Sequence, residues 1–280
     1  MGACHQPAPS RGQAGPISVR PTYPDHVLYP DVLYGSRCLA SGFGEGAVTA
    51  LNYAWFIMQV PETLIGTAMA IAILPTLSEL FARGEHEAFS GTVNRALRSL
   101  LALTIPAAML LAVAIRPLVQ AFLGFDEAGT ELVVWATRAY LVGLAGHSML
   151  EVASRSFYAQ QDARTPLWAA ALNALASLLF AVTFSRFLGV VGIAAANTLA
   201  FTGEALLLLF LLSRRFNGVL SLGKTFTRVI LAASAGALIV YLLMHFVPLP
   251  LLPLSVGALA LGALAILPFA WPEVKGLVRM

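Results

Sequence analysis

This sequence predicts an all-α, polytopic membrane bundle of about seven transmembrane helices, and three observations carry that reading. Hydrophobic residues fill 58% of the 280 positions and charged residues only 11%, where a soluble domain is about a quarter charged. Apolar residues fall into runs long enough, at ~1.5 Å per residue, to cross a ~30 Å hydrocarbon core, and mean hydropathy is +0.79. Loop charge then alternates. Arg83, Arg95 and Arg98, then Arg155 and Arg164, then Arg214, Arg215, Lys224 and Arg228, then Lys275 and Arg279 share one side. Only Arg116 and Arg186 lie between spans on the other. Eleven against two is a positive-inside bias that a missed or added span would erase, and it puts the C-terminus in the cytoplasm.

Taken in order, residues 1–31 are proline-rich and polar and lack the apolar run of a signal peptide. They read as a disordered or non-native tail, or as the arbitrary start of a truncated gene. Residues 32–212 read as one transmembrane bundle and residues 213–280 as two further helices. The first span, Gly46 to Leu77, would measure ~50 Å as one straight helix, well over a bilayer core. Pro61 and Pro75 each remove a backbone donor, so a kinked or tilted helix is expected. Glu62 follows the first proline and is either a carboxylate facing a neighbouring helix or a cavity-lining acid. The next spans are Leu100 to Ile115, a helix from about Glu131, Pro166 to Phe184, Val190 to Leu212, Val229 to Val247, and Leu251 to Phe269.

The helix from Glu131 ends in a polar turn and is the richest in ionisable groups. His147, Glu151 and Arg155 are spaced i, i+4, i+8 and share a stripe, with Arg138 on roughly the opposite side. Ionisable groups are costly in hydrocarbon and so are candidates for function. The plainer alternatives are a packing histidine at His147, an interfacial Glu151–Arg155 pair, and an Arg138 that reaches outward along its aliphatic stem. Thr165 is a candidate N-cap, with Pro166 suited to the first helical position. In the fifth span, Glu204 lies more than two turns from either end. It is either interhelical glue, with Asn173 as a partner, or an acid facing the transport path.

The chain shows no metal-ligand spacing, no cofactor motif and no nucleophile elbow. Cys4 and Cys38 make no disulfide framework. The basic residues are dispersed between spans rather than gathered into a nucleic-acid patch. The expectation is a carrier or flippase with no cofactor, rather than an enzyme.

Several ordered motifs then resemble the second half of the MurJ/MviN family of lipid II flippases, members of the multidrug/oligosaccharidyl-lipid/polysaccharide exporter superfamily. They are Leu39-Ala-Ser-Gly-Phe-Gly-Glu-Gly46, Ala50-Leu-Asn-Tyr-Ala-Trp55, Met58-Gln-Val-Pro61, Leu74-Pro-Thr-Leu-Ser78 and Phe81-Ala-Arg-Gly84. Phe157-Tyr158-Ala-Gln-Gln-Asp162 with Thr165-Pro166 matches the family's most recognisable signature. The resemblance implies that these spans are helices eight to fourteen of fourteen, in a bacterial cytoplasmic membrane. It also implies alternating access that moves lipid II, an undecaprenyl-pyrophosphate-linked sugar peptide. Val229 to Phe269 would then form a groove for the lipid tail, and a first lobe of helices would be missing from this chain.

Departures accompany the likeness. The family pattern Tyr-Ala-x-Arg-Leu-Met reads Tyr53-Ala-Trp-Phe56-Ile-Met here, and Phe56 cannot bind a pyrophosphate as arginine does. Glu204 stands where many members carry Asn. Arg37 keeps the Asp-Arg-x-x-Ala-Ser pattern, with Ser36 in place of the acid. The substrate-path candidates are therefore Arg37, Glu62, Arg138, His147, Glu151 and Glu204. Another exporter of the superfamily, or an inactive half-transporter, are the competing readings.

Overall fold

The computed structural model describes residues 46–216, 218–219, 223–246, 257 and 259–264. The N-terminal tail, Arg37 and most of the expected last span lie outside the described residues. The described chain is helical from one end to the other. Four of its helical stretches are long and apolar enough to cross a membrane: Ala47–Ala82, His86–Leu123, Arg164–Arg215 and Phe226–Phe246.

The first stretch changes its helical form directly after Pro61 and stays regular through Pro75. Helix α1, Ala47–Pro61, passes into a π-helical segment, Glu62–Thr67, and continues as α2, Ala68–Ala82. The wider π turn follows Pro61 directly, and helices widen in this way where a ladder hydrogen bond is lost. Helix α3, His86–Leu123, runs well beyond the expected Leu100–Ile115 at both ends. Arg98 and Arg116 therefore sit within the helix rather than bounding it. Polar residues that limit a span's apolar part do not limit its helix.

The helix expected from Glu131 is two shorter ones, α4, Glu127–Val142, and α5, Leu144–Ala159, broken at Gly143. Helix α6, Arg164–Arg215, holds two of the expected spans, because Gly189 takes φ 57°, ψ −133° between them. That pairing of a positive φ with ψ −133° is open to glycine and closed to residues that carry a Cβ. The chain doubles back there: a Cβ on Gly192 would lie 2.3 Å from the Phe184 carbonyl oxygen, which a straight helix would hold ~12 Å away. Helix α7 is Gly223–Phe246.

Small residues let α5 sit at the centre of the bundle. A Cβ on Gly143 would meet Thr198 Cγ2 at 2.7 Å, one on Gly146 would meet Thr202 Oγ1 at 2.4 Å, and one on Gly66 would meet Ser148 Oγ at 2.8 Å. Close backbone approach of this kind is how helices associate where lipid removes the hydrophobic drive. Thr198 Oγ1 adds a hydrogen bond to the Ala139 carbonyl at 2.8 Å. One apolar cluster, with Leu77, Phe89, Leu97, Phe157, Leu208 and Leu212, fills the end that carries most of the arginines. A second, with Ala54, Met58, Leu141, Leu144 and Ile193, fills the other half.

Candidate functional site

The first stretch, with its π-helical segment, carries a polar edge. Asn52, Gln59, Glu62, Thr63 and Thr67 are all exposed or half-buried along α1 and the π segment. Thr67 Oγ1 donates to Glu62 Oε1 at 3.2 Å, and Thr63 Oγ1 reaches Oε2 at 3.4 Å. The i to i+5 contact depends on the π turn, because in an ordinary α-helix partners stand three or four residues apart. Glu62 lies within electrostatic reach of Glu151 and Arg155 on α5. Arg155 pairs with Glu151 through Nη1 and Oε2, and the two side chains are 21% and 31% exposed. The structure thus brings Glu62 and Glu151 together. Such groups are not stable against lipid, so this edge faces water or another protein surface. Phe56, 64% exposed on the same helix, sits beside it.

The other candidates stand elsewhere. His147 is buried, stacked on Phe201 with ring centroids 4.3 Å apart and edge-on to Trp55 at 5.5 Å. Asn197 lies beside it, yet neither His147 Nε2 nor Asn197 Oδ1 makes a hydrogen bond of normal geometry. The stripe shared by His147, Glu151 and Arg155 therefore runs from the core to the edge. Arg138 places its guanidinium 5.0 Å over the Trp135 ring and donates from Nε to the Ala112 carbonyl at 3.0 Å. That anchors α4 to α3, away from the edge. Glu204 is 5% exposed, among the buried residues of the second half of α6. Asn173 is also buried, in the first half of the same α6.

The signature at the end of α5 folds into a tight turn. Gln161 N–H donates to the Tyr158 carbonyl and Asp162 N–H to the Phe157 carbonyl, with Gln161 at φ 59°. This is the paired closure that ends many helices, with glutamine where glycine is usual. Asp162 then caps the next helix, accepting from Thr165 N at 3.1 Å and from Thr165 Oγ1 at 2.8 Å. The expected N-cap at Thr165 gives way to Asp162, because a carboxylate is the stronger acceptor for the free amides of a first turn. Thr165 falls inside the helix, and Pro166 is buried behind it within the first turn. Phe157 is fully buried and Tyr158 half-buried.

Arg215 was hidden in the sequence, counted only as loop charge, yet it reaches this turn from the far end of α6. Its Nη2 donates to Asp162 Oδ2 at 2.7 Å. Burial alone would raise the Asp162 carboxyl, but the Thr165 hydroxyl, Arg215 and the Thr165 amide outweigh it and hold the group below the usual carboxylate range. Among the described residues no group of three His, Cys, Asp or Glu side chains could hold a metal ion.

The family model described as lipid II flippase MurJ matches residues 33–265 of this chain. A lipid II flippase MurJ of Burkholderia cenocepacia is 28% identical over 211 residues, which is 74% of this chain and 40% of that protein. A probable lipid II flippase MurJ of Rhizobium tropici is 32% identical over 225 residues, 76% of this chain and 41% of the relative. The chain thus spans about 40% of the length of these curated relatives. Among solved structures, an inward closed lipid II flippase MurJ superposes with a TM-score of 0.77 at 23% identity, over 90% of this chain and 52% of that one. An outward-facing multidrug resistance transporter of the MATE family and MOP superfamily gives 0.61 at 16% identity, over 88% and 62%. Both likenesses are of fold.

Proposed function

This chain belongs to the lipid II flippase MurJ family, and from that membership we propose that its helices form the second lobe of a flippase for lipid II. The cargo is the undecaprenyl-pyrophosphate-linked sugar peptide, moved across the bacterial cytoplasmic membrane by alternating access and without covalent chemistry. The family match over residues 33–265 carries the reading. The polar edge supports it: a line of groups costly in lipid along one helix is what one wall of a water-filled path requires. In this scheme a first lobe supplies the opposite wall, and the matched region makes up 40% of the relative's length. Arg83 to Arg98, Arg155 to Arg164 and Arg214 to Arg228 face the cytoplasm in this scheme, as does the C-terminus.

Depletion rescue tests the proposal. In cells depleted of their lipid II flippase, this chain co-expressed with a first lobe restores growth, and this chain alone does not. Full rescue by the chain alone would refute the one-lobe reading, and no rescue with any first lobe would refute the cargo. Topology is checked separately by cysteine labelling with an impermeant reagent, which should leave positions 83–98, 155–164 and 214–228 unlabelled from outside.

One observation favours a second reading, another exporter of the same superfamily moving a polysaccharide-lipid or a drug. Phe56 stands exposed where the family pattern often supplies arginine. Reconstitution of the two-lobe protein with each cargo separates the two readings.

A further inference from the structure

We infer that Arg215 is a positioning residue of this lobe: it clasps the turn between α5 and α6 and so fixes the end of the helix that carries Glu151 and Arg155. Four contacts converge on one guanidinium. Nη2 donates to Asp162 Oδ2 at 2.7 Å and to Thr165 Oγ1 at 3.3 Å, and Nη1 donates to Gln160 Oε1 at 3.2 Å. The guanidinium carbon lies 5.0 Å over the ring of Phe157, which is fully buried. A planar fork can make these contacts at once; a lysine ammonium cannot.

The clasp matters because of what it holds. Helix α5 is only 16 residues long, about 24 Å, and the break at Gly143 separates it from α4. It is pinned near its start by Gly143 and Gly146 against Thr198 and Thr202. Near its end the turn contains Gln161 in the left-handed region, a conformation that is strained for a residue with a Cβ. That turn has its own tendency to open, and Arg215 opposes it. Glu151 and Arg155 lie between the two pins, so their register with Glu62 depends on both.

Arg214 supplies the contrast. It is adjacent in sequence and carries the same charge in the same connection, but its guanidinium lies 4.9 Å over Phe210 and does not reach the turn. A role in membrane topology predicts equal effects for the two arginines. The clasp predicts unequal ones.

The test uses the 280-residue chain in lipid nanodiscs, so the clasp is read without any transport assay; only its part in transport rests on the flippase reading. Hydrogen exchange of residues 157–166 is measured, together with the distance distribution between spin labels at Thr63→Cys and Ser154→Cys in a Cys4→Ser, Cys38→Ser background. Arg215→Ala should speed exchange in the turn about fivefold to tenfold and broaden the distance distribution. Arg214→Ala should leave both as in the unaltered chain. Arg215→Lys, which keeps the charge and folds where the alanine variant does not, should give intermediate exchange. Equal exchange in the two alanine variants, or exchange in Arg215→Lys as slow as in the unaltered chain, would overturn the clasp.

Discussion

Two short turns bracket α4 and α5, one at residues 124–126 and one at residues 160–163, and they are built on the same plan. Each places its first tightly turned residue at positive φ, Gly124 at 61° and Gln161 at 59°. Each then caps the next helix with an aspartate, Asp126 accepting from Gly129 N at 2.9 Å and Asp162 from Thr165 N at 3.1 Å. Each has an arginine in attendance. The difference lies in what the arginine grips. Arg116 bridges Glu127 and Glu131, inside α4 and apart from the cap. Arg215 grips Asp162, which is the cap. In the first turn capping and ion pairing are separate contributions; in the second they are joined in one carboxylate, and glycine is dispensed with.

The largest expected effect follows from that joining. Asp162→Ala removes the cap and the clasp together and should cost about 2 kcal/mol, whereas Asp126→Ala removes a cap only and should cost about 1 kcal/mol. Equilibrium unfolding of the two variants in the same detergent measures the gap. Equal costs would mean that Arg215 contributes nothing through Asp162, and the comparison would fail.

A smaller pair of substitutions probes the backbone. A Cβ on Gly124 would meet nothing within 4 Å, so Gly124→Ala isolates the strain of positive φ and should destabilise by about 1 kcal/mol. Gln161→Gly relieves the same strain but frees the unfolded chain, so a net gain below about 1 kcal/mol is expected. Thermal melts decide. A loss of stability in Gln161→Gly would show that the glutamine side chain itself is needed at the turn.

These turns also mark how far the sequence could be read. The helices were legible because apolar runs and loop arginines obey length and charge rules that owe nothing to tertiary structure. Pro61 announces an irregularity in the helix, though not that it takes π form and brings Thr67 within reach of Glu62. The break at Gly143 escaped notice, since a single glycine within an apolar run gives no local signal. There Thr198, 55 positions away, donates to the Ala139 carbonyl, and the Gly143 amide bonds the Tyr140 carbonyl instead. Glu62 and Glu151 were each picked out as costly in lipid, but their proximity is a product of packing. Arg215 was unreadable for the same reason: 53 residues separate it from Asp162, and only the reversal at Gly189 brings them together.

The smallest effect is the most specific to the joined turn. The Asp162 carboxyl is held below its ordinary range, with burial acting to raise it and the Thr165 hydroxyl, Arg215 and the Thr165 amide together lowering it further. A group depressed on folding contributes stability above its unfolded pKa, about 3.9 for aspartate, and loses it as pH falls through the folded value. Exchange at the turn, corrected for the intrinsic pH dependence of amide exchange, should therefore be flat between about pH 7 and pH 5 and rise only in acid below the usual carboxylate range. His86 packs on Phe216, next to Arg215, with ring centroids 5.5 Å apart. The measurement is therefore made in a His86→Gln background. Asp162→Asn keeps an oxygen for the cap but has nothing to titrate, and should give a flat profile with uniformly faster exchange. If the acid-dependent opening persists in Asp162→Asn, the turn is not held by this carboxylate, and the difference between the two turns must lie in the surrounding helices instead.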